Sequence, residues 1–437
     1  MRTIAAIATP RGVGGIGIIR ISGKQAFSVL KDIFTPFSGE FSARRMELGR
    51  LKAGDVNDLA LAVCFPAPHS FTGEDVAELH LHGGRLLMER ALGCVLAAGA
   101  VIAEPGEFTK VAFLNGKIAL SDAEGIADMI NADSEAALRS AYRLMSGELA
   151  TTVRALNERL LMTTAQMEVA FDYPEEMMDD LDIDGIRSQL ISVRDEVEAL
   201  IGSASRGKMI KDGISVAIVG ATNAGKSSLL NRILRYDRAI VSDVPGTTRD
   251  TVEESVLYKG IKLNIIDTAG IRDSSDKIES IGITRSRRAA QGADCVLLVV
   301  DGSKTITAED EALIAEFNGD NVILVVNKKD VGTTRDLFGI LISAKTGEGV
   351  DDVLDEVLAR CSLNGEDTSL ITSVRHEDAL RRAKEALSGA IAGLGTLAPD
   401  CVAIDVRGAY FALGEITGET SSEEITNTVF TKFCVGK

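Results

Sequence analysis

The residues best placed to do chemistry fall in one continuous stretch: GATNAGKSS at 220–228, TTRD at 247–250, DTAG at 267–270, NKKD at 327–330 and SAK at 343–345. The first string satisfies GxxxxGK[ST]. In such a loop backbone N–H groups wrap phosphates, the lysine (Lys226) reaches the outer two, and the next hydroxyl (Ser227) is offered to Mg²⁺. Taken alone it is a moderate signal, and the four strings that follow in order narrow it. Asp267 is expected to act on Mg²⁺ through a bound water, and the N–H of Gly270 to meet a γ-phosphate. NKKD selects the base: Asp330 can accept two N–H bonds from a guanine edge while Asn327 braces the loop. Adenine presents a different donor pattern, so the strings read as a GTP site. The expected contact set is Asn223, Ala224, Gly225, Lys226, Ser227 and Ser228, then Ser242, Val244, Thr247 and Thr248, then Asp267, Thr268, Ala269 and Gly270. Asn327, Lys328 and Asp330, with Ser343, Ala344 and Lys345, complete it. Lys226 is also counted among the catalytic groups.

The surrounding elements agree. SVAIVG is a short apolar run feeding the glycine loop, and SSLLNRIL after it has helical spacing, so the loop lies where a strand hands over to a helix N-terminus. KLNIID, CVLLVVD, NVILVVNKKD and LFGILISAK are further apolar runs, each ending at a motif or an acidic residue. Buried parallel strands with a ligand at their carboxyl ends have this pattern.

At 437 residues the length suits two to four domains. The start MRTIAAIATPRG lacks a basic segment followed by a long apolar run, and no uninterrupted apolar stretch approaches membrane-spanning length. A signal peptide, a transmembrane helix and a membrane partner are therefore not expected, and the expected compartment is the cytoplasm. Six cysteines (64, 94, 295, 361, 401 and 434) have no CxxC spacing, which argues against zinc clusters and disulfides alike. The net charge is −17, with no Lys/Arg run able to grip a phosphate backbone unaided. A nucleic-acid partner would need a second protein or a local basic patch.

Before the nucleotide motifs, residues 1–118 alternate strand-like runs (IAAIAT, GIGIIRIS, LALAVCFP, VAELHLHG) with the helical RLLMERALGCVLAAGA, an α+β pattern. From Ala119 the spacing is helical for some fifty positions, with Ser121 and Asp122 as plausible caps. After the acidic YPEEMMDDLDIDG comes another helix, IRSQLISVRDEVEALIGSA. Helical patterns resume after 362. The expected plan is an N-terminal α+β domain (1–118), an all-α domain formed by 119–211 with 363–437, and an α/β phosphate-loop GTPase domain of Ras-like type (212–362) inserted into it at an exposed loop.

FTGEDVAELHLHGG, EPGEFTKVAFLNGKIALSDAEGIADMI, the GTPase strings and the terminal KFCVGK together resemble the MnmE (TrmE) family of tRNA modification GTPases from end to end. The resemblance implies an N-terminal domain that binds a tetrahydrofolate derivative, 5-formyl- or 5,10-methylene-tetrahydrofolate, and that joins a homodimer. It implies an FAD-containing MnmG-like partner, a heterotetramer with it, and tRNA bound through that complex. The implied product is an aminomethyl or carboxymethylaminomethyl group at C5 of the wobble uridine. Two other readings are a ribosome-assembly or signalling GTPase, which should carry a basic RNA-binding appendage, and a one-carbon transferase with a vestigial nucleotide domain. Intact Lys226, Ser227 and Asp330 speak against the second.

Ras-like enzymes orient the attacking water with a glutamine after DTAG, and Ile271 stands there instead. The family uses a glutamate two residues on; the matching residue is Asp273, one methylene shorter. Arg249, Arg272, Arg285, Arg287 and Arg288 cluster near the switches, yet none can be assigned as an arginine finger. The resemblance supplies K⁺ in its place, held by Asn223 and by the segment around Ser242, Val244 and Thr247, where it would neutralise charge between the β- and γ-phosphates. Asn223 also reads as an ordinary turn residue. Thr248 is the better choice for the threonine that joins Ser227 on Mg²⁺. In VAELHLHGG, period two puts Glu78, His80 and His82 on one face; a metal reading of the histidines lacks further ligands at suitable spacing. The family reading has Glu78 accept pterin N–H bonds, with Arg20, Lys117 and Lys437 lining the same pocket and Cys434 functionally required. That places the tail back against the N-terminal domain.

Overall fold

The computed structural model describes residues 2–10, 12–54, 56–172, 182–236, 253–267, 290–332, 338–431, 433, 435 and 436. By its contacts the chain divides into one unit of Met1–Ala127, Leu144–Gln166 and Arg407–Lys437, and a second of Asp128–Arg143 and Met167–Val406. The helical material on either side of the insertion is thus shared between two units. The segments 144–166 and 407–437 cluster with the N-terminal strands.

In the first unit seven strands form one sheet: β1 (Ile4–Ile7), β2 (Gly14–Ser22), β3 (Phe34–Pro36), β4 (Glu47–Ala53), β5 (Val56–Phe65), β6 (Val76–Gly83) and β7 (Val101–Ile102). Their order is β3-β4-β5-β6-β2-β1-β7, and the pairings are antiparallel except β1 with β7. The alternation in β6 sets its two faces. Ala77, Leu79 and Leu81 are buried in a core with Ile19, Ile21, Leu30, Phe34 and Leu51, while Glu78 and His80 stay partly exposed on the other side. Helices Ala26–Ile33 and Arg85–Ala97 pack on this sheet.

The run expected to be helical from 119 is three helices, Leu120–Asn131, Glu135–Met145 and Glu148–Asp172. The breaks have local causes. Ser134 caps the second helix by accepting the N–H of Ala137 at 3.2 Å, and Gly147, before the third, sits at φ 83°, where a side chain would be strained. The capping expectation needs correction. Ser121 and Asp122 lie inside the first helix; Asp122 reaches back to accept the N–H of Ala119 at 2.8 Å, and Ser121 donates to Asp122.

In the second unit a six-stranded sheet comprises β8 (Ile214–Gly220), β9 (Glu253–Tyr258), β10 (Ile261–Asp267), β11 (Cys295–Asp301), β12 (Val322–Asn327) and β13 (Ile340–Leu341). The order is β13-β12-β11-β8-β10-β9, parallel throughout except for the edge strand β9 against β10. Every residue of β11 but its terminal Asp301 is buried, which is why its sequence is continuously apolar. In the same unit, helix Ile183–Gly202 lays Ile186, Leu190, Val193 and Val197 along helix Val374–Gly393. The thiols of Cys64, Cys295 and Cys361 are buried, and burial pushes the first to about 11 and the second to about 12. Among the described residues no helix is long and apolar enough to cross a membrane.

Candidate functional site

Register alone brings the motifs together. At the carboxyl edge of the second sheet Gly220 pairs with Val299, Asp267 with Ile218 and Asp301 with Asn327, so four of the strands present their terminal residues on one rim. Residues 221–225 leave β8 and turn into helix Lys226–Ile233. Asn223 is exposed and left-handed at φ 65°, a conformation its short amide tolerates. Ser227 and Ser228 are exposed on the first turn of that helix, where N–H groups lack helical partners and the dipole favours an anion. Lys226 Nζ donates to the carbonyls of Gly220 at 2.7 Å and Ala221 at 2.8 Å, folded across its own loop. The exposed Ser227 hydroxyl is a hard oxygen donor, as Mg²⁺ requires, and Asn223 can offer an amide oxygen to a larger monovalent cation.

Asn327 ties three loops into one body. Its Nδ2 donates to the carbonyl of Ala224 at 3.0 Å, and its Oδ1 accepts from Lys328 N at 2.8 Å and from Ala344 N at 3.0 Å. The expected brace is therefore built from phosphate loop to base loop, in a side chain 2% exposed. It also explains Gly225: at φ 102° a Cβ would stand 2.1 Å from Asn327 Nδ2. Ser343 Oγ donates to Asp330 Oδ1 at 2.7 Å, and Lys345 Nζ lies 3.9 Å from Asp330 Oδ2. The carboxylate meant for guanine is thereby oriented. Lys328, left-handed at φ 70°, turns its ammonium to Asp301 at 2.6 Å. Burial alone would push the Asp301 carboxyl up, but hydrogen bonds from Lys328 and Ser303 outweigh it and hold the group below its usual value.

In the first unit Arg20 and Glu78 are direct cross-strand partners, with Arg20 Nε and Nη2 on Glu78 Oε1 at 3.0 and 2.9 Å. His80 Nε2 reaches Glu78 Oε2 at 3.3 Å, while His82 Nδ1 pairs with Asp58 at 2.7 Å. The His80 bond first, then Arg20, hold Glu78 below its ordinary value against burial. The Arg20 guanidinium lies over Phe71 at 5.6 Å and Phe108 at 5.8 Å. Lys117 Nζ donates to Pro68 O at 3.1 Å, on the same β5–β6 loop that carries Phe71. An ionised, part-exposed carboxylate steadied from two sides fits the paired N–H donors of a pterin. At the C-terminus Val435 bridges Pro105 antiparallel, and Gly436 packs on the backbone of Ile7 and Ala8. The tail does return to the N-terminal domain. Ser242, Val244, Thr247, Thr248, Thr268, Ala269, Gly270, Asp273, Cys434 and Lys437 lie outside the described residues, and of Asp267 only the backbone at the end of β10 is described.

Two family models match this chain: "GTP-binding protein TrmE N-terminus" over residues 3–117 and "MnmE helical domain" over 120–434. Curated relatives named tRNA modification GTPase MnmE include those of Roseiflexus sp., 41% identical, and Heliobacterium modesticaldum, 39% identical, each aligned over 100% of this chain and 99% of its own length. The Aquifex aeolicus relative of the same name is 39% identical over 99% of both chains. This chain belongs to the MnmE family. It is a GTP hydrolase, built as an MnmE-type α+β N-terminal domain, a helical domain and a phosphate-loop GTPase domain.

Against that MnmE pattern, reading the sequence missed three contributors to the sites. Asp301 ends an apolar strand as Asp267 does, although no motif string marks it. His80 stands two residues from Glu78 on β6, a spacing that puts both on one face. Arg232, which reaches the carbonyls of Ala344 and Lys345, gave no signal, because those partners are 112 and 113 residues away.

Proposed function

We propose that this GTPase acts in tRNA modification as a K⁺-activated homodimer. Together with an FAD-containing MnmG-like partner, in a heterotetramer that binds the tRNA, it installs an aminomethyl or carboxymethylaminomethyl group at C5 of the wobble uridine. The supporting observation is the presence, in one chain, of the Asn327-braced nucleotide rim and of the Arg20–Glu78–His80 cluster, on a sequence alignable with MnmE relatives from end to end. The compartment is the cytoplasm, where tRNA and GTP meet.

In this reading Ser227 and Thr248 hold Mg²⁺, which offsets charge on the β- and γ-phosphates. Asn223 with Ser242, Val244 and Thr247 holds K⁺, which supplies the positive charge that an arginine finger supplies elsewhere. Asp273 positions the attacking water in place of the glutamine that Ile271 replaces. In the other domain Glu78 accepts from the pterin, Arg20 and Lys117 flank it, and the tail brings Cys434 and Lys437 to the same pocket. The one-carbon unit comes from 5,10-methylene-tetrahydrofolate and the amine from glycine or ammonium, while GTP turnover drives pairing of the nucleotide domains and the shape change that follows.

The test compares GTP turnover in KCl and NaCl with light scattering on the same samples in the presence of a transition-state mimic. Turnover is expected to rise in K⁺ together with association of the nucleotide domains. Equal rates and equal mass in both salts would end the K⁺ assignment.

A further inference from the structure

We propose that Arg232 is a positioning residue for guanine recognition, fixing the base loop 343–347 to the helix that follows the phosphate loop. The inference deepens the GTP-site reading and rests on it, since it takes Asp330 and the loop beginning at Ser343 as the groups around guanine.

Arg232 lies on helix Lys226–Ile233, which follows directly on the phosphate loop. Its guanidinium reaches across to the base loop: Nη2 donates to Lys345 O at 2.5 Å and Nε to Ala344 O at 3.4 Å. The loop is shaped to receive it. Gly347 is left-handed at φ 96°, and a Cβ there would stand 3.1 Å from the guanidinium carbon. The Ala344 residue is thus held on both sides, its N–H by Asn327 Oδ1 at 3.0 Å and its carbonyl by Arg232. Within the loop Ser343 accepts the N–H of Thr346 and donates to Asp330, so the position of residues 343–347 sets the aim of the Asp330 carboxylate. Two ties therefore join base loop to phosphate loop, one through Asn327 to Ala224 and one through Arg232 to the helix. A planar fork is needed for the second, because a lysine ammonium on its flexible stem cannot hold both carbonyls in one fixed geometry.

The experiment uses the full-length protein and its Arg232→Ala, Arg232→Lys and Asp330→Asn variants. Fluorescent GDP dissociation, steady-state GTP turnover in K⁺, and the preference for GDP over IDP are measured. IDP lacks the exocyclic amine that Asp330 accepts. Loss of hydrogen bonds from a charged donor is worth about tenfold, so Arg232→Ala is expected to release GDP about tenfold faster and raise KM by a similar factor. The same estimate makes kcat fall by less than about threefold and the GDP-over-IDP preference shrink. Arg232→Lys should recover part of the affinity, and it carries the test should the alanine variant not fold. A role in packing alone would lower the melting temperature and leave the GDP-over-IDP ratio unmoved, and that result overturns the proposal. Asp330→Asn should exchange guanine preference for xanthine. If it does not, the base-site reading falls; if it does while both Arg232 variants bind GDP normally, the role of Arg232 alone is refuted.

Discussion

Asn327→Ala is the sharpest test of the idea that one buried amide unifies the nucleotide site. The side chain makes three hydrogen bonds, and two of their partners, the Ala224 carbonyl and the Ala344 N–H, belong to residues only 1% and 6% exposed. Truncation leaves both unpaired at about 1–3 kcal/mol each, for a total near 4 kcal/mol if neither finds water. The loops can relax towards solvent when no nucleotide holds them, so part of this cost appears as lost affinity and part as lost stability. A share of about 2.7 kcal/mol in binding would weaken GDP about 100-fold. Titration with fluorescent GDP reads the first share and thermal unfolding of the nucleotide-free chain the second. Gly225→Ala attacks the same brace from the other side, since its Cβ would collide with Asn327 Nδ2. Because each substitution removes a contact the other depends on, the double variant should lose clearly less than the sum of the two. An Asn327→Ala protein that binds GDP within threefold of the parent and melts at the same temperature would refute the reasoning, as would strict additivity with Gly225→Ala.

Three further outcomes follow from the geometry. Glu78 is held below its ordinary value of 4.5, so the stability it contributes is complete above that pH and is lost as pH falls through the lower folded value; the melting-temperature gap between the parent and Glu78→Gln should be full at neutral pH and close in strong acid, and Glu78→Gln should weaken 5-formyl-tetrahydrofolate binding at neutral pH. Gly436→Val would place a Cβ 2.5 Å from Ile7 O at a residue with φ 97°; limited proteolysis should then find the tail released, with little change in GTP turnover. Lys262→Ala removes a 2.6 Å ion pair to Asp133 at the end of β10 opposite Asp267; GTP hydrolysis by the variant should stay within about fivefold of the parent, because a partly exposed pair is worth about 1 kcal/mol, while wobble-uridine modification measured by nucleoside mass analysis should fall.

What the sequence made legible was whatever physics writes locally. The strands of the nucleotide sheet could be read because a parallel strand covered on both faces is a continuous apolar run, and each ends where its motif begins. Half-exposed strands were not legible: the edge strand β9 opens with Glu253 and Glu254 and buries alternate residues such as Val256 and Tyr258, and β4, paired on both sides, carries Arg50 and Lys52. The long helical stretch was readable as helix but not as three helices, because the breaks rest on one serine side chain and one positive φ. Motif residues announced the guanine site, yet the bonds that give it shape join residues about a hundred positions apart, as in Asn327 to Ala224. The pairing of Arg20 with Glu78 is a consequence of register between β2 and β6, which neither strand encodes by itself.

Strand β10 shows why the nucleotide site does not end at its own rim. At its carboxyl end stands Asp267, the first residue of the DTAG string. At its other end the Gly260 carbonyl accepts from Ala136 N at 3.2 Å and Lys262 pairs with Asp133, both partners belonging to the helical stretch 128–143. The seven residues between span about 20 Å, and the strand is hydrogen-bonded on both flanks, to β8 and to β9. Such a strand neither stretches nor bends cheaply, so a displacement imposed at Asp267 has to move the far end or be absorbed in the turn before it. The far-end contacts are weak enough to yield. The ion pair is part-exposed, at 20% and 28%, and with one neutral hydrogen bond beside it the tie amounts to about 2 kcal/mol. A tie of that size falls within the range of about 1–3 kcal/mol over which two sites couple reversibly, so under the function proposed above it would give way when a γ-phosphate contact is gained or lost.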